Sequence, residues 1–141
     1  MFKKFFKKVE TEDVNKKIIL VAALLIHAAK IDENYTEEEK TMIKKAIKNL
    51  SSLNENEIEE IFKQAEKKEK ESNQIIEFTK EIKKYSMEFR LKIIEIIWKI
   101  VYSDGTSDSY ESNLIRRICG LLYVSDRDNG IIKTRVQNSS S

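Results

Sequence analysis

Residues 104–111 read D-G-T-S-D-S-Y-E, and residues 32–39 read D-E-N-Y-T-E-E-E. Both stretches carry an aspartate at their first position, a helix-capping residue at the fifth and a glutamate at the eighth, and the matching residues are 72 positions apart. An apolar run precedes each stretch and an amphipathic run follows it. The pattern predicts an internal duplication with two acidic connections between helices, which we call the first elbow (32–39) and the second elbow (104–111).

The composition favours one all-α domain. A chain of 141 residues fits a single domain, and the absence of proline together with only three glycines favours long helices over turn-rich β-structure. Charges of both signs are interspersed and the net charge is +2. The chain therefore lacks the overall positive charge that would indicate a nucleic-acid partner. A single cysteine and the lack of a cleavable leader favour a cytoplasmic protein.

We expect a bundle of seven helices in which helices 1 to 3 recur as helices 5 to 7 about a pseudo-twofold axis. Helix 1 (about 13–31) and helix 5 (about 87–102) are apolar on every side, so they are expected at the centre. The other helices carry single apolar stripes, formed by Ile43, Ala46, Ile47 and Leu50 in helix 2, Ile58, Ile61, Phe62 and Ala65 in helix 3, Ile75, Phe78, Thr79, Ile82 and Tyr85 in helix 4, and Leu114, Ile115, Ile118, Cys119 and Leu122 in helix 6.

Three stretches are expected outside this core. Residues 66–73 are polar throughout, which predicts a solvated helix end and a break between the halves. Helix 7 is expected to end near Val136, so that the folded domain covers residues 11–136. Residues 137–141 are then expected to form a disordered tail.

Residues 1–10, M-F-K-K-F-F-K-K-V-E, form a separate amphipathic segment. If they are helical, Phe2, Phe5 and Phe6 lie on one face and four lysines lie on the other. Such a helix can lie on an anionic membrane surface, or its aromatic face can close one end of the bundle. Contact with a membrane or a partner protein, docking on the core and a frayed terminus are kept as alternatives.

The single histidine and the single cysteine are interpreted as structural. His27 projects about 140 degrees away from Asp32 around an ideal helix, so the two residues are poorly placed to share a metal. Cys119 lies on an apolar stripe with no histidine or second cysteine beside it, which is typical of a small buried hydrophobe.

Helix caps explain part of the acidic pattern. Thr36 with Glu39, and Asp108 with Glu111, match the capping box in which a residue at the helix start and one three positions later satisfy each other's backbone N–H groups. The same three-residue spacing recurs in Asn54 with Glu57 and in Ser125 with Asp128. These two pairs are 71 positions apart in the sequence, one fewer than the pairs of the elbows. Capping alone therefore accounts for these acids.

Capping does not explain the first aspartate of each elbow. Asp32 and Asp104 stand where helices 1 and 5 are expected to end, near the negative pole of each helix dipole, where an acid costs about 0.3 to 1 kcal/mol. Their partner is either the amides of the following helix or a cation.

A cation site requires the two elbows to meet. Short connections favour up-down alternation, which brings the ends of helices 1 and 5 to the same end of the bundle. The expected metal ligands are then Asp32, Glu39, Asp104, Asp108 and Glu111. Carboxylate oxygens suit calcium or magnesium, whereas zinc prefers Cys and His ligands that neither elbow offers. An EF-hand is excluded because its glycine position is Glu37 or Ser109 and its bidentate glutamate position is Ile43 or Ile115.

Four segments carry a resemblance to the TerB-like tellurite-resistance family: A-A-K-I-D (28–32), T-E-E-E (36–39), I-V-Y-S-D-G-T-S-D-S-Y-E (100–111) and L-I-R-R-I-C-G-L-L-Y-V-S (114–125). The similarity covers about residues 16–136, and the family also includes the N-terminal region of membrane-anchored J-domain co-chaperones. It implies a seven-helix domain with pseudo-twofold symmetry, a stress-response association and metal-binding acids. By position, those acids are Asp32, Glu39, Asp104 and Glu111.

Two departures from the family pattern affect what the resemblance implies. Glu33 stands in the first elbow where the second has Gly105, so the first turn lacks the usual glycine. The chain contains no His-Pro-Asp motif, so J-domain activity is not expected.

We therefore expect a non-enzymatic module for metal sensing or scaffolding, in a tellurite-resistance-type stress response or an envelope-associated assembly. No substrate-orienting groups accompany the carboxylates, which argues against general acid–base catalysis. A protein partner is expected, and nucleic acid is not. The alternative is a pure protein–protein interaction module in which the acids serve only as helix caps.

Overall fold

A computed structural model describes the backbone of residues 2–32, 35–104 and 109–139 and the side chains of residues 15–31, 35–103 and 112–139. Over these ranges the chain forms seven α-helices and two short 3₁₀ turns, with no strand. The helices are α1 (Phe2–Ala29), α2 (Glu37–Leu50), α3 (Glu55–Glu71), α4 (Ile76–Ile82), α5 (Met87–Val101), α6 (Ser109–Leu121) and α7 (Asp126–Ser139). The predicted all-α bundle is confirmed.

The two apolar helices lie in the core and contact each other. Residues 21–26 of α1 are completely buried, and α5 buries Ile93, Ile94, Ile97 and Trp98. Burying one such aliphatic or aromatic side chain contributes about 1.5 to 3 kcal/mol, so these two helices supply much of the hydrophobic driving force. α5 is less uniformly buried than its composition predicts, because Phe89, Leu91 and Ile96 are only half-buried.

The first three helices alternate in direction. The short connection 51–54 turns α2 back into α3, and the ammonium of Lys44 on α2 lies 3.0 Å from the carboxylate of Glu59 on α3. His27, near the end of α1, contacts Glu69, near the end of α3, at 3.3 Å. α1 and α3 therefore finish at the same end of the bundle, next to the first elbow.

The predicted caps form wherever their side chains are described. The Thr36 hydroxyl accepts a hydrogen bond from the Glu39 N–H at 3.1 Å, and the Asn54 side chain accepts one from the Glu57 N–H at 2.9 Å. The glutamate of each pair accepts a bond back from the cap residue's own N–H, at 3.1 Å in both cases. The hydroxyl of Ser125 likewise caps α7. The predicted box of the second elbow lies outside the described side chains.

Two predicted boundaries are corrected. α1 begins at Phe2 instead of near residue 13, so residues 2–10 continue into the core helix and are not a separate element. α3 continues to Glu71, so the break falls at 72–75 and not across 66–73. Because the side chains of residues 1–14 are outside the described part, the surface that the phenylalanine face contacts stays a prediction.

The C-terminal helix is also longer than expected. α7 continues through Ser139, so residues 137–139 of the predicted tail are helical, and residues 140–141 lie outside the described residues. The side-chain amide of Gln137 donates a hydrogen bond to the Tyr102 hydroxyl at 2.6 Å. This contact ties the last turn of α7 to the end of α5.

The element boundaries follow the 72-residue spacing. The 3₁₀ turns cover Lys30–Asp32 and Tyr102–Asp104, and α2 and α6 begin at residues 37 and 109. The pseudo-twofold relation between the halves itself stays a prediction. No described helix has the length and apolarity needed to cross a bilayer.

Candidate functional site

Each apolar core helix ends in a 3₁₀ turn, and each turn closes on an aspartate. α1 is followed by Lys30–Asp32 and α5 by Tyr102–Asp104. A 3₁₀ turn tightens the end of a helix and satisfies some of its last carbonyl groups. The backbone therefore places Asp32 and Asp104 at equivalent points, directly after the core helices.

The five predicted metal ligands are described to different extents. The side chains of Asp32, Asp104 and Glu111 lie outside the described residues, and so does Asp108 as a whole. Glu39 alone among the five has a described side chain. Whether the five acids converge therefore stays a prediction.

Glu39 is buried, with 8% of its surface exposed. Its Oε1 accepts hydrogen bonds from the Thr36 N–H at 3.1 Å and from the Thr36 hydroxyl at 3.2 Å. The bond from the Thr36 N–H completes the capping box of α2 and fixes where the helix begins, and the bond from the hydroxyl is a further contact to the same oxygen. The Glu39 carboxylate has a structural role whether or not it also meets a cation.

A second carboxylate beside the first elbow was missed by the sequence reasoning. Glu69 Oε2 accepts a hydrogen bond from the Lys30 ammonium at 2.8 Å, and Glu69 Oε1 lies 3.3 Å from His27 Nδ1. Only 10% of the Glu69 side chain is exposed, against 39% for Lys30 and 35% for His27. Glu69 therefore joins the end of α3 to the end of α1 at the residue where the 3₁₀ turn begins.

Tyr35 lies in the same region and carries a buried hydroxyl with no hydrogen-bond partner among the described residues. Burial, and next the negative charges of Glu66 and Glu69, raise the pKa of Tyr35 well above its ordinary value, so the phenol stays neutral. The ammonium groups of Lys30 and Lys40 lie 5.6 Å and 5.0 Å from the centre of its ring. The Tyr35 ring therefore lies near lysines of the first 3₁₀ turn and of α2, and its hydroxyl is influenced by the glutamates of α3.

The described donors do not suit zinc. Cys119 is 1% exposed, and burial together with the charge of Asp126 raises its pKa to about 12, so it remains a neutral thiol. His27 is paired with Glu69, 3.3 Å from its carboxylate. Among the described residues, no three His, Cys, Asp or Glu side chains are grouped so as to hold a metal ion. The oxygen-rich composition of the elbows fits a hard cation instead.

The comparison with protein families agrees with this architecture. The family model for tellurite resistance protein TerB matches residues 19–134, from within α1 to within α7, and includes both elbows. No curated protein and no solved structure matches the chain significantly. Because the family model spans most of the chain, the protein belongs to the TerB family of tellurite-resistance proteins.

Proposed function

We propose that this protein is a non-catalytic TerB module that binds a divalent cation, calcium or magnesium, at its acidic elbows. Binding of the cation would be coupled to binding of a protein partner, in a tellurite-resistance-type or envelope-associated stress response. The observation that carries the proposal is the aspartate at the end of each 3₁₀ turn, Asp32 and Asp104, at the same point of each half.

Electrostatics supports this assignment. An acid at the end of a helix faces the negative pole of the dipole and is destabilising by about 0.3 to 1 kcal/mol, and here the arrangement occurs twice. Asp32 and Asp104 would supply the first ligands, with Glu39, Asp108 and Glu111 from the following helix starts. The cation would supply positive charge that relieves repulsion among these carboxylates, and waters and backbone carbonyls would complete its shell.

Calorimetric titration and thermal unfolding with calcium, magnesium and zinc test the proposal. We expect calcium or magnesium to raise the melting temperature, because a ligand that binds only the folded state stabilises it by mass action. The double variant Asp32→Asn with Asp104→Asn should lose this rise while keeping a parent-like melting temperature in metal-free buffer. A control that removes two charges elsewhere, Glu60→Gln with Glu71→Gln on exposed positions of α3, should keep the full response.

Two results would contradict the proposal: the absence of heat and of a melting shift with every cation, or an unchanged response in the double variant. The complete Thr36–Glu39 capping box favours the second candidate, a pure protein-interaction module whose acids only cap helices. That candidate predicts partner binding that is equal in chelator and in calcium.

A further inference from the structure

A groove of about 540 Å³ lies between α2 and α5. Its apolar lining comprises Met42, Ala46, Leu50, Ile96 and Ile100. Four of these side chains are half-buried, whereas Ile100 is 1% exposed and forms part of the core. The volume lies within the range of about 300 to 1,000 Å³ that is usual for binding pockets, and the lining is apolar enough to hold several side chains of a ligand.

The sequence repeat relates the α2–α5 groove to a second surface, between α1 and α6, and a helix of the bundle covers that second surface. α4 packs against α1 and α6, where it buries Phe78, Thr79 and Ile82. At the 72-residue spacing, α5 corresponds to α1, and α2 corresponds to α6. In the predicted pseudo-twofold relation, the α2–α5 groove is the counterpart of the surface that α4 covers, and none of the described helices covers the groove.

The lining of the groove differs in sequence from the equivalent positions of α1 and α6. Lys92 and Glu95 on α5 stand where α1 has Leu20 and Ala23. On α2, Ala46 stands where α6 has the larger Ile118. Charged side chains favour hydration at the edge of an empty groove, and alanine occupies less volume than isoleucine, and both features suit a reversible docking site.

The charge of the rim determines which partner it would accept. Three lysines line the groove, Lys45, Lys92 and Lys99. The single acid, Glu95, is already engaged by Lys99 at 3.6 Å and by Arg135 at 3.5 Å. The remaining positive charge favours an acidic ligand and disfavours the lysine-rich residues 1–10 of this chain or of a second copy.

We propose that the α2–α5 groove binds a short amphipathic helix of a partner protein, with an apolar face like that of α4 and acidic flanks. The apolar side chains of the ligand would lie on Ala46 and Ile96, and its carboxylates would face Lys45 and Lys92. This is the helix-in-groove mode of recognition, in which apolar anchors provide affinity and rim charges provide specificity. The site is distinct from the elbows and does not depend on a cation.

Two synthetic peptides derived from residues 74–86, which contain α4, serve as probes. The acidic peptide has Lys80, Lys83 and Lys84 replaced by glutamate, and the basic peptide has Glu77 and Glu81 replaced by lysine. Fluorescence anisotropy would measure affinity, and amide chemical shifts would locate the bound peptide. We expect the acidic peptide to bind at least ten-fold more tightly than the basic one and to shift the amides of the groove.

Charge reversal of the rim gives the decisive comparison. Lys45→Glu with Lys92→Glu should reverse the order of the two peptides, and both residues are exposed, so the fold should persist. Lys63→Glu with Lys67→Glu, on exposed positions of α3, should change neither affinity by more than about two-fold.

Three results would overturn the proposal. The first is equal binding of both peptides to the parent protein and to the rim variant. The second is a set of shifted amides on α1 and α6 instead of the groove. The third is unchanged peptide binding in the rim variant together with loss of a concentration-dependent dimer or of binding to phosphatidylserine vesicles. This result would mean that Lys45 and Lys92 act in self-association or membrane binding instead of peptide binding.

Discussion

The Glu69 carboxylate accepts a hydrogen bond from the Lys30 ammonium at 2.8 Å, although 39 residues separate them in the chain. Glu69 is nearly buried at the end of α3, and Lys30 is the first residue of the 3₁₀ turn that closes on Asp32. A carboxylate with so little access to water is stable as an anion only if it is paired. The position of the first elbow therefore depends on α3 as well as on its own sequence.

Replacing Glu69 by glutamine tests this dependence. Glutamine has a similar shape but carries no charge, so the charge-assisted bonds to Lys30 and His27 are lost. Because both partners are more than a third exposed, solvent limits the loss, and we expect the free energy of unfolding to fall by about 1 to 2 kcal/mol. Urea denaturation followed by circular dichroism would measure the change.

The control for this variant is Glu81→Gln. Glu81 pairs with Lys84 one helical turn away, with side chains that are 44% and 64% exposed, so its replacement should cost no more than about 0.5 kcal/mol. Equal losses in the two variants would mean that Glu69 is an ordinary surface acid.

The single tryptophan provides a second test, on the contact between α5 and α7. Trp98 is 1% exposed, and its indole N–H donates to the side-chain oxygen of Asn129 at 2.9 Å. Asn129→Ala would leave a buried donor without its partner, so we expect a loss of about 1 to 3 kcal/mol together with a change in tryptophan emission.

Asn113→Ala on α6 is the matched control. It produces the same gain in helix propensity at an exposed position, so its effect should stay within about 0.5 kcal/mol. If Asn129→Ala unfolds at the same urea concentration as the control, the hydrogen bond contributes nothing measurable.

Local features of this fold were accessible from the sequence. The capping boxes at Thr36 and Asn54 depend on residues three positions apart, so their pattern is visible without knowledge of the fold. The two core helices were recognisable because apolar residues surround them on all sides. Both kinds of signal depend only on nearby residues.

Long-range contacts were not accessible in the same way. Glu69 lies in an alternating Glu and Lys run that is typical of a solvated helix end, and only the packing of α3 against α1 distinguishes it from its neighbours. Gln137 looked like part of a tail because its partner, Tyr102, is 35 residues away. Helix ends were misplaced for the same reason, since tertiary contacts decide how far α3 and α7 continue.

Cys119 should be unreactive in the folded protein. Burial and the charge of Asp126 raise its pKa to about 12, so the native thiol keeps its proton at pH values where an unfolded cysteine, with a pKa near 9.0, has ionised. Alkylation by iodoacetamide at pH 9 should be at least about 100-fold slower in native buffer than in urea, because it requires opening of the core. Comparable rates would place Cys119 at the surface.

The same shift predicts a pH dependence of stability. Above pH 9 the unfolded state releases a thiol proton that the native state retains, so the free energy of unfolding should fall as the pH rises from about 9 towards about 12. Below this window Cys119 makes no pH-dependent contribution. Cys119→Ala should show a shallower decline than the parent over the same range, and parallel curves would contradict the assignment.

The pseudo-twofold relation predicts a measurable superposition. The backbone of residues 16–50 should superpose on that of residues 88–122, with the 3₁₀ turns and the starts of α2 and α6 in register, as crystallography of the protein would measure. The constant spacing of 72 residues between these boundaries is the reason for this expectation. Halves that share helix lengths but cross at different angles would show that the repeat is confined to the sequence.

Deletion of residues 1–10 tests the role of the N-terminal turns of α1. The sequence spacing of Phe2, Phe5 and Phe6 and of four lysines predicts an aromatic face and a basic face, a pattern that suits the surface of an anionic bilayer. We expect the truncated protein to keep the circular dichroism spectrum and cooperative unfolding of the bundle, because the family match begins only at residue 19. Cosedimentation with phosphatidylserine vesicles should fall at least about five-fold and should weaken with salt in the parent, since each basic residue near such a surface contributes about 1 kcal/mol.

A control that replaces Phe2, Phe5 and Phe6 by serine and keeps all four lysines separates the two contributions, because it should remove the salt-resistant part of the binding. Loss of cooperative unfolding on truncation would instead assign the phenylalanine face to the core, and unchanged cosedimentation would exclude a membrane role for this segment.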